Sequence, residues 1–219
     1  MQRPPAILAI GRNYADHAAE MGTKTDERPM VFMKNPASVC RSGDDIVIPR
    51  ICREGGPQVD YEGELAFEIA HDCRDVPESE AMSVIAGYRV ANDISARWWQ
   101  KTGSGGQFCR GKSFDTFCPM TDLVPAGAIS NPQSLEIETV LNGTRVQHAS
   151  TGLMVFSVRY LVAELSRGMT LAAGTIVLTG TPAGVGAGRT PPLFLKDGDT
   201  VEVRIAGVGH LVNRVREER

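Results

Sequence analysis

The sequence predicts an α+β fold, mostly β: one domain rich in antiparallel strands with a few short helices. Three observations lead there. Strand-period alternation recurs along the chain, at Val59–Ile69, Leu135–Leu141 and Val201–Ile205. Glycine, asparagine and proline punctuate those runs as turns, and Asn142-Gly143 is the strongest short hairpin signal. No repeat, low-complexity run or linker divides the 219 residues, and that length suffices for a substantial core.

In order, Ala6–Ile10 reads as a short buried strand ending at Gly11, and Arg12–Gly22 as a short helix. Asn13 is placed to cap that helix and Gly22 to end it in the left-handed conformation. Thr23–Arg28 is a polar loop stopped by Pro29, and Val31–Met33 and Ile46–Ile48 are short strands separated by Asn35-Pro36 and Ser42-Gly43-Asp44 turns. Pro77–Val84 suits a helix with acidic residues near its positive end. Ile85–Ala91 is a mostly buried strand that delivers Asp93 to its end, where residues carrying chemistry commonly lie. Ser95–Lys101 continues as a helical turn or two, placing Arg97 and Gln100 on one face, with Trp98 and Trp99 for packing. Leu135–Leu141 and Thr144–Ala149 form the Asn142-Gly143 hairpin, and Ser157–Arg167 is an amphipathic helix closed by Gly168. Thr175–Thr179 is a buried strand running into the glycine-rich Gly180–Gly188, and Val201–Ile205 pairs back with His210–Val215.

Composition excludes several classes of function. Hydrophobic content of 42% and charged content of 22% are ordinary for a soluble globular protein. A net charge of -3 carries no basic footprint for nucleic acid. No apolar run approaches ~20 residues, so no membrane span is expected. The first eleven residues are too short and proline-broken for a secretory signal. Five cysteines without a C-x-x-C pair form neither a disulfide framework nor a zinc pattern and suit a reducing cytoplasm.

Val59–Ile69 holds the densest chemistry. Tyr61, Leu65, Phe67 and Ile69 would share one buried face, with Asp60, Glu62, Glu64 and Glu68 on the other. Glu62 and Glu64 would stand roughly 6.6 Å apart along the strand, close enough to bend onto one cation, and Gly63 between them admits a close approach. The alternative is a solvated edge face whose charges discourage strand pairing. His17 and Glu20 are neighbours on one helical face, and a glutamate beside an imidazole stabilises its protonated form, as a general base requires. The alternative there is an exposed pair on a surface helix. Gly106–Ser113 fits the P-loop pattern letter for letter, but no buried strand precedes it and a proline-broken aromatic stretch follows, so a nucleotide site is rejected.

Five ordered motifs together resemble the fumarylacetoacetate hydrolase superfamily, closest to its short acylpyruvate and fumarylpyruvate hydrolases. They are Gly11–His17, Tyr61–Leu65, Asn92-Asp93, Gly111–Asp115 and Thr179–Gly186, and they span almost the whole chain. The resemblance implies a mixed β-roll in a single domain over 1–219, usually a homodimer, with 1–30 supplying a strand, the His17 helix and a lid. It further implies Glu62, Glu64 and Asp93 as ligands of Mg2+ or Mn2+, which agrees with the hard-oxygen preference of such ions. His17 with Glu20 matches the water-activating pair and Lys112 the lysine near the metal. Arg97, Gln100 and Thr181 match the residues that hold the substrate's carboxylate and oxo group. At position 63 some relatives carry a larger apolar residue. The expected reaction is hydrolysis of the C–C bond of a 2,4-dioxo acid to pyruvate and a carboxylic acid. The alternative on the same metal site is decarboxylation of oxaloacetate, or decarboxylation and isomerisation of unsaturated dioxo acids of aromatic catabolism. Three carboxylates, a His–Glu pair and a lysine in one chain argue against a non-catalytic structural module.

Overall fold

The computed structural model describes residues 3–219; Met1 and Gln2, the start of the expected 1–30 segment, lie outside the described residues. Strand β1 (Ile7–Gly11) leads into helix α1 (Ala15–Glu20) and is followed by β2 (Met30–Lys34), β3 (Val39–Arg41) and β4 (Asp45–Ile48). Next come β5 (Val59–Asp60), β6 (Gly63–Ile69), β7 (Ile85–Asn92), β8 (Ser95–Ala96), and the one-turn helices α2 (Arg97–Gln100) and α3 (Phe108–Gly111). The chain continues through β9 (Cys118–Met120), β10 (Val124–Pro125), β11 (Glu136–Leu141), β12 (Thr144–Ser150) and α4 (Val158–Ser166). It ends with β13 (Ile176–Leu178), β14 (Thr200–Ile205) and β15 (Gly209–Glu217).

Two mixed sheets make the body. The larger runs β2-β1-β13-β6-β7-β9-β3 with β10 added against β7; the smaller runs β12-β11-β14-β15-β4. Most pairings are antiparallel, as the alternation predicts, but β1–β13, β3–β9 and β4–β15 are parallel and join distant parts of the chain. The main core lies between the sheets: Leu65, Phe67, Tyr88 and Val90 of the large sheet meet Ile137, Val203, Ile205 and Leu211 of the small one. Helix α4 closes one end of it with Val158, Leu161, Val162 and Leu165. Its Ser157 hydroxyl accepts from the Tyr160 amide and Gly168 is left-handed, so both ends stop where the sequence indicates. The β11–β12 turn has positive φ at Asn142 (50°) and Gly143 (79°), the geometry that matches hairpin twist.

Four local expectations are corrected. The predicted strand Val59–Ile69 breaks at Tyr61-Glu62: β5 pairs with β8, whereas β6 enters the large sheet between β13 and β7. The reason is that Glu62 leaves the ladder. Its amide donates to the Asn92 side chain, and its carbonyl accepts from the Asp93 amide. Tyr61 therefore joins a second core cluster with Ile46, Ile94 and Phe117, while Leu65, Phe67 and Ile69 stay in the first. Both faces are buried, so the solvated-edge alternative fails for Asp60, Glu62 and Glu64; only Glu68 turns aside, to Arg89. Asn13 does not cap α1, which starts after Tyr14 without a side-chain cap. Its amide group instead crosses the fold, donating to the Phe156 and Thr179 carbonyls and accepting from the Phe156 amide. The helix expected at Pro77–Val84 is a 3₁₀ segment over Glu78–Val84, and that at Ser95–Lys101 shortens to α2 because Ser95 and Ala96 pair with β5.

Candidate functional site

Local structure places His17 first. The C-terminus of α1 closes as a Schellman turn, with Gly22 N donating to Ala19 O and Thr23 N to Ala18 O, and Gly22 takes φ 69°. This ends the helix so that His17, only 8% exposed, lines a cavity with Glu62, Glu64 and Lys112. Its Nδ1 lies 2.8 Å from Glu20 Oε1. A carboxylate only accepts, so Nδ1 carries the hydrogen, and the neutral ring in that tautomer has its lone pair on Nε2. Glu20 Oε2 in turn accepts from the Gly184 amide at 2.9 Å, which fixes the carboxylate from behind. The surface-helix alternative is excluded by this burial.

The centre of the site joins three elements. Glu62 comes from the break before β6, Glu64 from β6 itself and Asp93 from the end of β7, and one ligand oxygen of each lies within 4.8 Å of the others. All three are buried. Lys112 Nζ stands among them, 2.7 Å from Glu62 Oε2, 2.6 Å from Asp93 Oδ2 and 2.7 Å from Ser95 Oγ. Arg97 approaches Glu62 Oε1 at 2.6 Å and grips Asp60 through Nε and Nη2. Four buried carboxylates (Asp60, Glu62, Glu64, Asp93) thus face three buried cations (Lys34, Arg97, Lys112). Among the described residues, Glu64 forms no ion pair; its Oε2 accepts from the Gly180 amide at 2.7 Å. Burial, then Asp93 and Glu62, push the Glu64 carboxyl well above its usual range. Burial works in the same direction on Glu62, but Lys112 and Arg97 overcome it and hold that group well below. A site of hard oxygen donors short of one positive charge fits a divalent cation held by Glu62, Glu64 and Asp93.

Each sequence-predicted residue lies at this site, and Lys112, Arg97, Gln100 and Thr181 are already engaged by protein groups. Arg97 also donates to Gln100 Oε1 at 3.1 Å, so its guanidinium is shared among Asp60, Glu62 and Gln100. Thr181 donates to Gly63 O at 2.9 Å and accepts from Gln147 Nε2 at 2.8 Å while lining the cavity. Gly63 has no room for a side chain: a Cβ there would sit 2.2 Å from Thr139 Oγ1 and 2.9 Å from Val203 Cγ1, where the small sheet presses on the large one.

Several contributors escaped sequence reading. Lys34, 1% exposed, ends β2 and bonds Asp93 Oδ1; a lysine closing an apolar strand was the available signal. Asp60 is an anchor, accepting from Arg97 and from the Gly186 and Ala187 amides. Gln147 ties Gly63 to Thr181 and Pro182. The glycine-rich segment 180–188 therefore holds protein carboxylates: its amides serve Glu64, Glu20 and Asp60. The P-loop look-alike contains α3 and sends Lys112 to carboxylates instead of phosphate; a 3₁₀ turn over Thr102–Ser104, and no strand, precedes it.

A mixed two-sheet body carries three buried carboxylates that could hold a metal ion, beside a His–Glu pair. The chain belongs to the fumarylacetoacetate hydrolase family: residues 6–216 match the model described as fumarylacetoacetate (FAA) hydrolase C-terminal. It is 45% identical over 212 residues to the oxaloacetate tautomerase YisK of Bacillus subtilis, covering 95% of this chain and 69% of that one. The fumarylacetoacetate hydrolase of the psychrophile Exiguobacterium antarcticum superposes with a TM-score of 0.87 at 41% identity, over 99% of this chain and 76% of its own. The 5-carboxymethyl-2-hydroxymuconate delta-isomerase of Mycobacterium smegmatis gives 0.85 at 36% identity, over 99% and 80%.

Proposed function

We propose that this protein is a divalent-metal-dependent hydrolase that cleaves the C–C bond of 2,4-dioxo acids (acylpyruvates) to pyruvate and a carboxylic acid. The observation that carries it is His17, oriented by Glu20 and opening onto the same cavity as Glu62 and Glu64, whose carboxylates converge with Asp93. A divalent cation on the three carboxylates, Mg2+ or Mn2+, would supply Lewis-acid polarisation of the substrate's 2-oxo acid end. Gln100 and Thr181 line the wall against which that end would lie. His17 Nε2 takes a proton from water as it attacks the 4-carbonyl, and Glu20 stabilises the imidazolium that forms. Breaking the C3–C4 bond moves its electron pair into a pyruvate enolate. The Lys112 ammonium stands beside the developing negative charge until C3 is protonated, by the imidazolium, and pyruvate leaves.

A second reading has specific support. The relative at 45% identity is named an oxaloacetate tautomerase. The same His17 can move a proton between C3 and the 2-oxygen of a 2-oxo acid without breaking a carbon–carbon bond. One experiment separates the two. Purified protein with Mg2+ is given acetylpyruvate and fumarylpyruvate while pyruvate is assayed, and enol-oxaloacetate while its ultraviolet absorbance is followed. Pyruvate release that stops with EDTA and returns with Mg2+ supports hydrolysis. Rapid decay of the enol signal without pyruvate release supports tautomerisation and sinks hydrolysis. Undiminished turnover in metal-free protein removes the metal from both.

A further inference from the structure

Two guanidinium groups line the cavity, and their situations differ. Arg97 is buried and held by Asp60, Glu62 and Gln100. Arg12, at the corner between β1 and α1, has a side chain 32% exposed and, among the described residues, hydrogen-bonds one partner, Asp26 on the loop after α1, at 3.3 and 3.5 Å. Asp26 is itself 41% exposed. An ion pair of that kind is weak in water and exchanges readily for a better-placed anion. The backbone at Arg12 is left-handed, φ 57°, a conformation that a bulky L-residue adopts at a cost. Such strain persists where the surroundings impose it, and here it belongs to a side chain that lines the cavity. Lys101 also borders the cavity, but it is an exposed point charge without the planar fork that matches a carboxylate.

We propose that Arg12 is the specificity-determining residue of this site: it receives a second carboxylate at the far end of the substrate, displacing Asp26, so dicarboxylic 2-oxo acids are preferred over monocarboxylic ones. The assignment rests on the 2-oxo acid reading of the cavity and adds a distal anchor to it. A guanidinium can meet a carboxylate with two parallel hydrogen bonds, which outcompetes the longer contact with Asp26. Asp26 then acts as an internal stand-in that keeps Arg12 extended when no diacid is present.

The test is binding, independent of turnover. Protein loaded with Mn2+ is titrated calorimetrically with 2-oxoglutarate against 2-oxopentanoate, and with 2-oxoadipate against 2-oxohexanoate, pairs matched in length and differing in the distal carboxylate. In at least one pair the diacid is expected to bind about 10- to 100-fold tighter, the usual worth of a charge-assisted pair. Arg12→Asn, chosen because asparagine tolerates the left-handed backbone, should erase that difference while leaving the monoacid within about threefold. Asp26→Asn, which leaves the corner untouched, should tighten the diacid about two- to fivefold by removing its competitor. A wild type that does not discriminate within either pair overturns the proposal alone. So does discrimination that survives Arg12→Asn, or that is lost in Lys101→Ala instead. If no 2-oxo acid binds, the reading of the cavity falls and this assignment falls with it.

Discussion

His17 makes two contacts that decide its chemistry: Nδ1 to Glu20, and an opening onto the cavity that Glu62 and Glu64 share. His17→Ala should lower turnover about 10²–10⁴-fold, the worth of a positioned base, with far less effect on metal affinity measured by calorimetry. Glu20→Gln should fall between, because it keeps a hydrogen bond and loses the charge that stabilises imidazolium. Equal loss in both variants would make Glu20 essential in itself. Glu64 governs a different property. Its carboxyl is raised by burial and by Asp93 and Glu62. In the metal-free protein the folded state therefore holds a proton that the unfolded chain releases near about pH 4.3. Stability is fully present below that pH and declines as pH rises through the folded value, then levels off. Mn2+ replaces the proton and should remove the decline. Melting temperatures of metal-free wild type and Glu64→Gln across pH 4–8 check this, since the variant should lack that part of the slope. A wild-type slope that Mn2+ and Glu64→Gln both leave unchanged refutes the assignment.

At the scale of elements, the break between β5 and β6 matters most. A continuous strand would point Glu62 and Glu64 alike; the turn at Tyr61-Glu62 instead sends Glu62 toward Lys112 and Arg97 while Glu64 faces Gly180. That separation lets one carboxylate stay ionised while the other awaits a cation. The small sheet supports the break from below, at Gly63. Gly63→Ala would drive a Cβ into Thr139 and Val203, and an overpacked contact of this kind costs about 1–3 kcal/mol. The expected loss is roughly 2–4 °C in melting temperature per kcal/mol for a chain of this size. An unchanged melting curve would show that the sheets part easily there. The P-loop look-alike belongs to this scale as well. Its helix α3 is one turn long, and Lys112 is consumed by carboxylates. Titration with MgATP should show no binding in the micromolar range, and saturable binding lost in Lys112→Ala would restore the nucleotide reading.

For the whole molecule, the site is assembled by contacts between remote segments. Lys34 reaches Asp93 across 59 residues, Gln147 reaches Gly63 across 84, and Gly184 reaches Glu20 across 164. The homodimer implied by the family resemblance belongs here too: light scattering should return about twice 23.6 kDa, and a monomer mass would remove it. Sequence alone determined the strand-rich architecture, the β11–β12 hairpin, both ends of α4 and the His17–Glu20 pairing, because periodicity, turn chemistry and helical spacing are local and written within a few residues. It also marked Glu62, Glu64, Asp93 and Lys112, through motifs whose residue types limit the chemistry available to them. It could not place Lys34, Asp60 or Gln147, or show that Arg97 is already engaged by buried groups while Arg12 pairs with the surface carboxylate of Asp26. Those facts depend on which distant charges share one buried volume. Only the packing of the two sheets decides that, because a buried charge takes its energy from its neighbours in space.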